Sequence, residues 1–156
     1  MTIPSGVCRV TVCAVAEFVT SFTPSTRVAD VYSLDTDQFE VDSALTTFEI
    51  NVATESNQPG FLFDMGTISA EYDGTDLIFD VDGTSILFTV SLKAFKQFAF
   101  MWDTEADLLS ISIDDVPVVT GGSGFTVPTP GKLFIGSDDT GSNQINGQLN
   151  SFRILR

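Results

Sequence analysis

The chain contains no histidine and only two cysteines in 156 residues. Without an imidazole, general-base and triad chemistry would have to rest on carboxylates or lysine alone. No Cys-x-x-Cys pair is present, so a zinc site has nothing to build on. Cys8 and Cys13 lie five residues apart. In an extended segment they fall on opposite faces, about 17 Å apart at about 3.3 Å per residue, which is too far to pair. They read as two small apolar strand side chains, ahead of an intermolecular bridge.

Basic residues are scarce as well. Seven Lys and Arg stand against 21 Asp and Glu, a formal net charge of −14. No Lys or Arg lies between Arg27 and Lys93, an interval that holds thirteen acidic residues. A surface that tracks phosphates is thereby excluded, and no nucleic acid partner is expected. So many carboxylates make a soluble, self-repelling surface. Long apolar runs are missing too: the stretch from Val7 to Val15 is interrupted by Arg9 and ended by Glu17. It makes neither a membrane span nor a recognisable signal peptide, so no membrane insertion is expected.

Helical patterning is absent, since no window of a dozen residues keeps apolar side chains at i, i+3, i+4 and i+7 free of Gly, Pro and β-branched residues. Alternation with period two recurs instead. It runs through Thr46-Phe48-Ile50-Val52, Leu77-Phe79-Val81, Ile86-Phe88-Val90, Phe98-Phe100-Trp102 and Leu109-Ile111-Ile113. Each run marks a strand with one buried face. Between the runs stand Gln58-Pro-Gly60, Tyr72-Asp-Gly74, Val81-Asp-Gly83, Asp114-Asp115 and the connection from Thr120 to Gly131. Asp-Gly between alternating runs predicts hairpins, because type I′ turns need positive φ. Short antiparallel strands and fourteen Phe predict an all-β, two-sheet sandwich or jelly roll whose sheets bury their apolar faces against each other.

The order of these motifs adds more. Phe98-Ala-Phe-Met-Trp102-Asp is followed by Leu109-Ser-Ile-Ser-Ile113-Asp-Asp-Val, then Leu133-Phe-Ile-Gly136, then Asn146-Gly-Gln-Leu-Asn-Ser-Phe-Arg-Ile154. Upstream stand Asp37-Gln-Phe-Glu-Val41, Thr46-Thr-Phe-Glu-Ile50-Asn-Val and Gly60-Phe-Leu-Phe-Asp-Met-Gly66. From about residue 30 to 156 the chain resembles the laminin-G-like branch of the concanavalin A-like lectin and glucanase jelly rolls. It departs from that pattern at Phe95-Lys-Gln97, where a Trp-His pair is often found, and at Asp115, where the hairpin Gly is replaced. It also lacks the Cys near the final Gly that forms the usual disulfide. The resemblance divides the chain into an N-terminal strand or arm, residues 1–30, and a jelly-roll domain, residues 31–156. Residues 1–30 would either add a strand to the jelly roll's own sheet or pair with a neighbouring subunit.

Calcium-binding relatives supply oxygen ligands from loops at one edge of the sandwich. The resemblance therefore nominates the loop from Ser137 to Asn143 for Ca²⁺, with Asp138, Asp139 and Asn143 as ligands and Asp64 or Asp73 able to join. Phe61 and Phe125 are the candidate exposed aromatics for a glycan, together with Asp138, Asp139 and Asn143, whereas Phe98, Phe100 and Trp102 share the inward phase of a strand. Related glucanases use a Glu-x-Asp-x-Glu run that this chain lacks. Its nearest imitation, Asp76 to Asp82, places Asp80 and Asp82 on a solvent-facing strand surface.

The expected function is a non-catalytic surface module that presents loops to a glycan or to partner subunits. It would belong to a homo-oligomer or larger assembly, such as a virion decoration or fibre, and so lie outside cells or on a virion surface. A free carbohydrate-binding lectin, possible with calcium, is the competing reading. A degenerate glycoside hydrolase is the third.

Overall fold

The computed structural model describes residues 7–8, 32–35, 41, 44–54, 57–127, 129 and 131–155. Its strands are β1 (Val7–Cys8), β2 (Tyr32–Leu34), β3 (Leu45–Thr54), β4 (Gly60–Asp64), β5 (Ile68–Tyr72), β6 (Asp76–Val81), β7 (Thr84–Thr89), β8 (Lys96–Asp103), β9 (Leu108–Ile113), β10 (Val116–Gly121), β11 (Leu133–Ile135) and β12 (Gly147–Leu155). They form two antiparallel six-stranded sheets, in the orders β1-β12-β3-β8-β9-β10 and β2-β11-β4-β5-β6-β7. Among the described residues there is no helix, and none could cross a membrane.

All five alternating runs predicted from the sequence are strands. Alternation puts Phe48, Ile50 and Val52 of β3 and Phe98, Phe100 and Trp102 of β8 on the inner face of the first sheet, each fully buried. From the second sheet come Phe63, Ile68, Ala70, Tyr72, Leu77, Phe79 and Val81. The sheets meet through aromatic rings. Phe63 contacts Phe48, Phe100 and Phe152 at centroid distances of 4.8, 5.6 and 5.8 Å, the last two edge to face. Phe79 also reaches across to Phe100 at 5.4 Å. Such tilted and edge-on contacts match the ring quadrupoles and add about 0.5–1.5 kcal/mol each beyond area burial.

The hairpins follow from turn chemistry. Asp82 and Gly83, at φ 52° and 79°, join β6 to β7 in the left-handed pair that a type I′ turn requires. Asp82 is thus a turn residue, and only Asp80 of the expected acidic strand pair lies on the strand. Asp114 and Asp115 join β9 to β10 with φ 50° and 66°, so the hairpin closes without a glycine. The Asp114 carboxylate compensates by accepting the Gln97 amide at 3.1 Å. In β4 a register shift between Phe61 and Phe63 sends Leu62 and Phe63 both inward, which is why Gly60–Asp64 does not alternate in sequence.

Val7 and Cys8 pair with Leu155 and Ile154, so β1 continues the first sheet beyond β12. Cys13, the rest of residues 9–30 and Asp37 to Glu40 lie outside the described residues.

Candidate functional site

The segment from Gly136 to Asn146 forms a loop laid against β4. It begins where β11 ends. Gly136 holds both of its ends: its amide donates to the Leu62 carbonyl at 2.8 Å, and its carbonyl accepts the Ile145 amide at 3.0 Å. The Phe61 amide donates to the Asn143 carbonyl at 2.9 Å, and Gln144 runs parallel to Phe61 in a β-bridge. This close approach explains Gly60. A Cβ there would lie 2.6 Å from the Ile145 nitrogen and Cα, inside backbone that cannot give way.

Asp138 organises the loop's interior. One carboxylate oxygen accepts the Thr140 amide (3.0 Å), the Thr140 hydroxyl (2.7 Å) and the Ser142 amide (2.8 Å), while the other accepts Asn143 Nδ2 at 2.7 Å. These donors, the Thr140 hydroxyl foremost, hold its pKa below the ordinary carboxylate value against the opposing effect of desolvation. Asp64 ties the loop to the sheet. Its Oδ1 accepts the Gly66 amide at 2.8 Å and its Oδ2 the Asp139 amide at 3.1 Å. Asp138 is only 9% exposed, whereas Asp139, Ser142 and Asn143 are exposed.

Five of the candidate residues therefore come together here: Phe61, Asp64, Asp138, Asp139 and Asn143. Asp73 does not join them, since its carboxylate accepts the Thr75 and Asp76 amides in the β5–β6 turn. These bonds hold its pKa low. Phe125 stands apart as well. Its ring is 8% exposed and packs in the core under the Gly-rich connection, so it offers a ligand no aromatic face.

The set does not fit a calcium ion as it stands. Both carboxylate oxygens of Asp64 and of Asp138 accept donors of the chain, and these bonds order the loop. Among the described residues no group of three or more His, Cys, Asp or Glu is placed to share a metal ion.

Sequence reasoning passed over one carboxylate. Cross-strand pairing aligns Phe61, Glu71, Ile78 and Leu87 in one outward row of the second sheet. Glu71 is half-buried there, and its pKa is raised, first by desolvation and then by Asp73, Asp80 and Asp64. Its strand carried the signal in Ile68-x-Ala70-x-Tyr72, which fixes Glu71 as outward. The neighbours that raise its pKa come from register, which the sequence does not display.

No family model matches the sequence, and no curated protein does. Solved structures match in shape. A Bacteroides ovatus protein to which carbohydrate binding is ascribed shares 11% identity over 80% of this chain and 40% of its own, at a TM-score of 0.63. A heptameric SAP-like pentraxin from Limulus polyphemus shares 14% identity over 72% of this chain and 64% of its own, at 0.57. Domains LG4-5 of the mouse laminin α1 chain share 12% over 80% and 38%, at 0.56. The fold is a concanavalin A-like jelly roll. The chain spans less than two thirds of each of these structures.

Proposed function

We propose that the chain is a non-catalytic binding module that recognises a glycan at the loop on β4. The observation that carries this reading is the Asp138 carboxylate, which fixes the loop from within while Asp139, Ser142 and Asn143 remain exposed at the surface. Asp139 and Asn143 present planar polar groups suited to sugar hydroxyls, and the partly exposed Phe61 lies beside them. A preorganised loop binds without the entropic cost of ordering itself. The likeness to structures of carbohydrate-binding and laminin-G type supports the reading at the level of fold. In this reading the loop is ordered by donors of the chain itself, and glycan binding is expected to proceed without calcium.

Asp80 and Asp82 do not form a strand-borne acidic pair, which favours a binding role over glycoside hydrolysis. Display on a larger assembly, of virion decoration or fibre type, outside cells, is the setting in which we expect the module to act. A homo-oligomer would multiply weak single-site affinity.

A glycan array with the purified chain tests this reading. Saturable binding that survives EDTA and is lost in Asn143→Ala and Asp139→Ala supports it. Retention of binding in both variants places the ligand elsewhere, and no binding on any array overturns the reading.

A further inference from the structure

The outer face of the second sheet, which meets the loop at Phe61, carries on β5, β6 and β7 a pattern that glycan binding leaves unused. Glu71, Ile78 and Leu87 are direct cross-strand partners on β5, β6 and β7. Ser69, Asp80 and Ser85 form the outward row on one side of them, and Asp76 stands opposite Thr89 on the other side. Leu87 is 58% exposed at the sheet's last strand. Around this apolar pair of Ile78 and Leu87 stand Glu71, Asp73, Asp76, Asp80 and Asp82, and strands β4 to β7 contain no Lys or Arg. Among the described residues none of these five is in an ion pair, since the two recorded pairs are Lys132–Asp35 and Arg153–Glu49.

We propose that this sheet face docks a cationic protein partner, whose Lys or Arg side chains flank an apolar side chain seated on Ile78 and Leu87. Charge complementarity decides the occupant. A second copy of this chain, itself at −14, would bring like charge onto like charge. Phosphate-bearing partners and anionic lipid surfaces are repelled in the same way. A basic partner instead offsets the negative charge that Asp73 and Asp80 place beside Glu71 on this face. Alternating register supplies the spacing, because outward carboxylates on neighbouring strands lie one or two strand widths apart, within reach of long basic side chains on one extended segment. The inference uses none of the loop's own residues, and its nearest approach to them is Glu71, the cross-strand partner of Phe61.

Calorimetry with the capped peptide Lys-Leu-Lys-Ile-Lys at 150 mM salt tests it against four proteins. Wild type should bind saturably. The double variant Glu71→Gln/Asp80→Asn should weaken binding about tenfold, and Leu87→Ser several-fold. The control Glu105→Gln/Asp115→Asn, which removes the same charge from turns of the other sheet, should change it less than twofold. The amide variants keep side-chain shape and the Asp80 acceptor for the Gly83 amide, so folding is preserved, as a thermal melt verifies. Equal weakening by face and control variants would reduce the effect to net charge and overturn the proposal, as would absence of binding to wild type. Spermine binding as tightly as the peptide would overturn the apolar half of it.

Discussion

The Asp139 amide donates to the Asp64 carboxylate at 3.1 Å, a bond between residues 75 positions apart that ties the surface loop to the end of β4. The loop therefore acts as an extension of the sheet, and its stability is coupled to the sheet's own.

Asp138→Ala removes four accepted hydrogen bonds and leaves the Thr140 and Ser142 amides without their partner. We expect a loss of about 2 kcal/mol. Hydrogen exchange should locate it: the amides of Thr140 and Ser142 exchange faster, while those of β3 and β8 keep their relative protection. Uniform change across both sheets would contradict this local role.

Gly60→Ala places a methyl group on the Ile145 backbone. The variant should displace the Asn143–Ile145 segment from Phe61, lowering Tm and weakening any ligand bound by the loop. Unchanged melting and unchanged exchange at Phe61 would show that the contact yields without cost.

Stability should change with pH through two carboxylates of opposite sign. Asp138 has a folded pKa below its ordinary 3.8, so its contribution is present above that value and is lost as pH falls through the folded pKa. Glu71 has a folded pKa above its ordinary 4.5, so the folded state takes up its proton first. Stability from this group therefore increases as pH falls from neutral towards 4.5. Because Glu71 is only half-buried and solvent screens its charge, Glu71→Gln should raise stability at pH 7 by only a few tenths of a kcal/mol, roughly 1 °C in Tm. The gain should vanish below pH 4.5, and a gain independent of pH would rule out the electrostatic cause.

Asp115→Gly should stabilise the β9–β10 hairpin by roughly 0.5 kcal/mol, because glycine adopts φ 66° without strain. The two bonds that link the turn to Gln97 belong to Asp114 and survive the change. A lower midpoint in urea would show that the Asp115 side chain contributes something its geometry does not reveal.

Phe63→Ala opens a cavity where four rings meet and should cost about 3–5 kcal/mol, a Tm fall of roughly 10 °C. Phe63→Leu should recover much of it.

Period-two alternation made β3, β6, β7, β8 and β9 legible in sequence, since each has one dry face. β4 was legible only through the order of motifs, in Gly60 to Gly66, because the bulge at Leu62 puts two consecutive residues inward and breaks the period. The loop's chemistry was legible in Ser137 to Asn143, and the choice of Asp64 over Asp73 was not, since it depends on which strand β11 pairs with. Phe125 looked available for contact because it sits among glycines, yet local composition says nothing of the core beneath it. Glu71 went unseen for the same reason: its neighbours are assigned by register.

The strand order of the first sheet also governs how the chain comes together. β12 lies between β1 and β3, and it brings Phe152 and Ile154 into the core. Until residues 147–155 have left the ribosome, β3 has β8 on one side and an open edge on the other, and the aromatic cluster lacks a wall. Folding must wait for that last strand, with an exposed sheet edge for as long as synthesis takes.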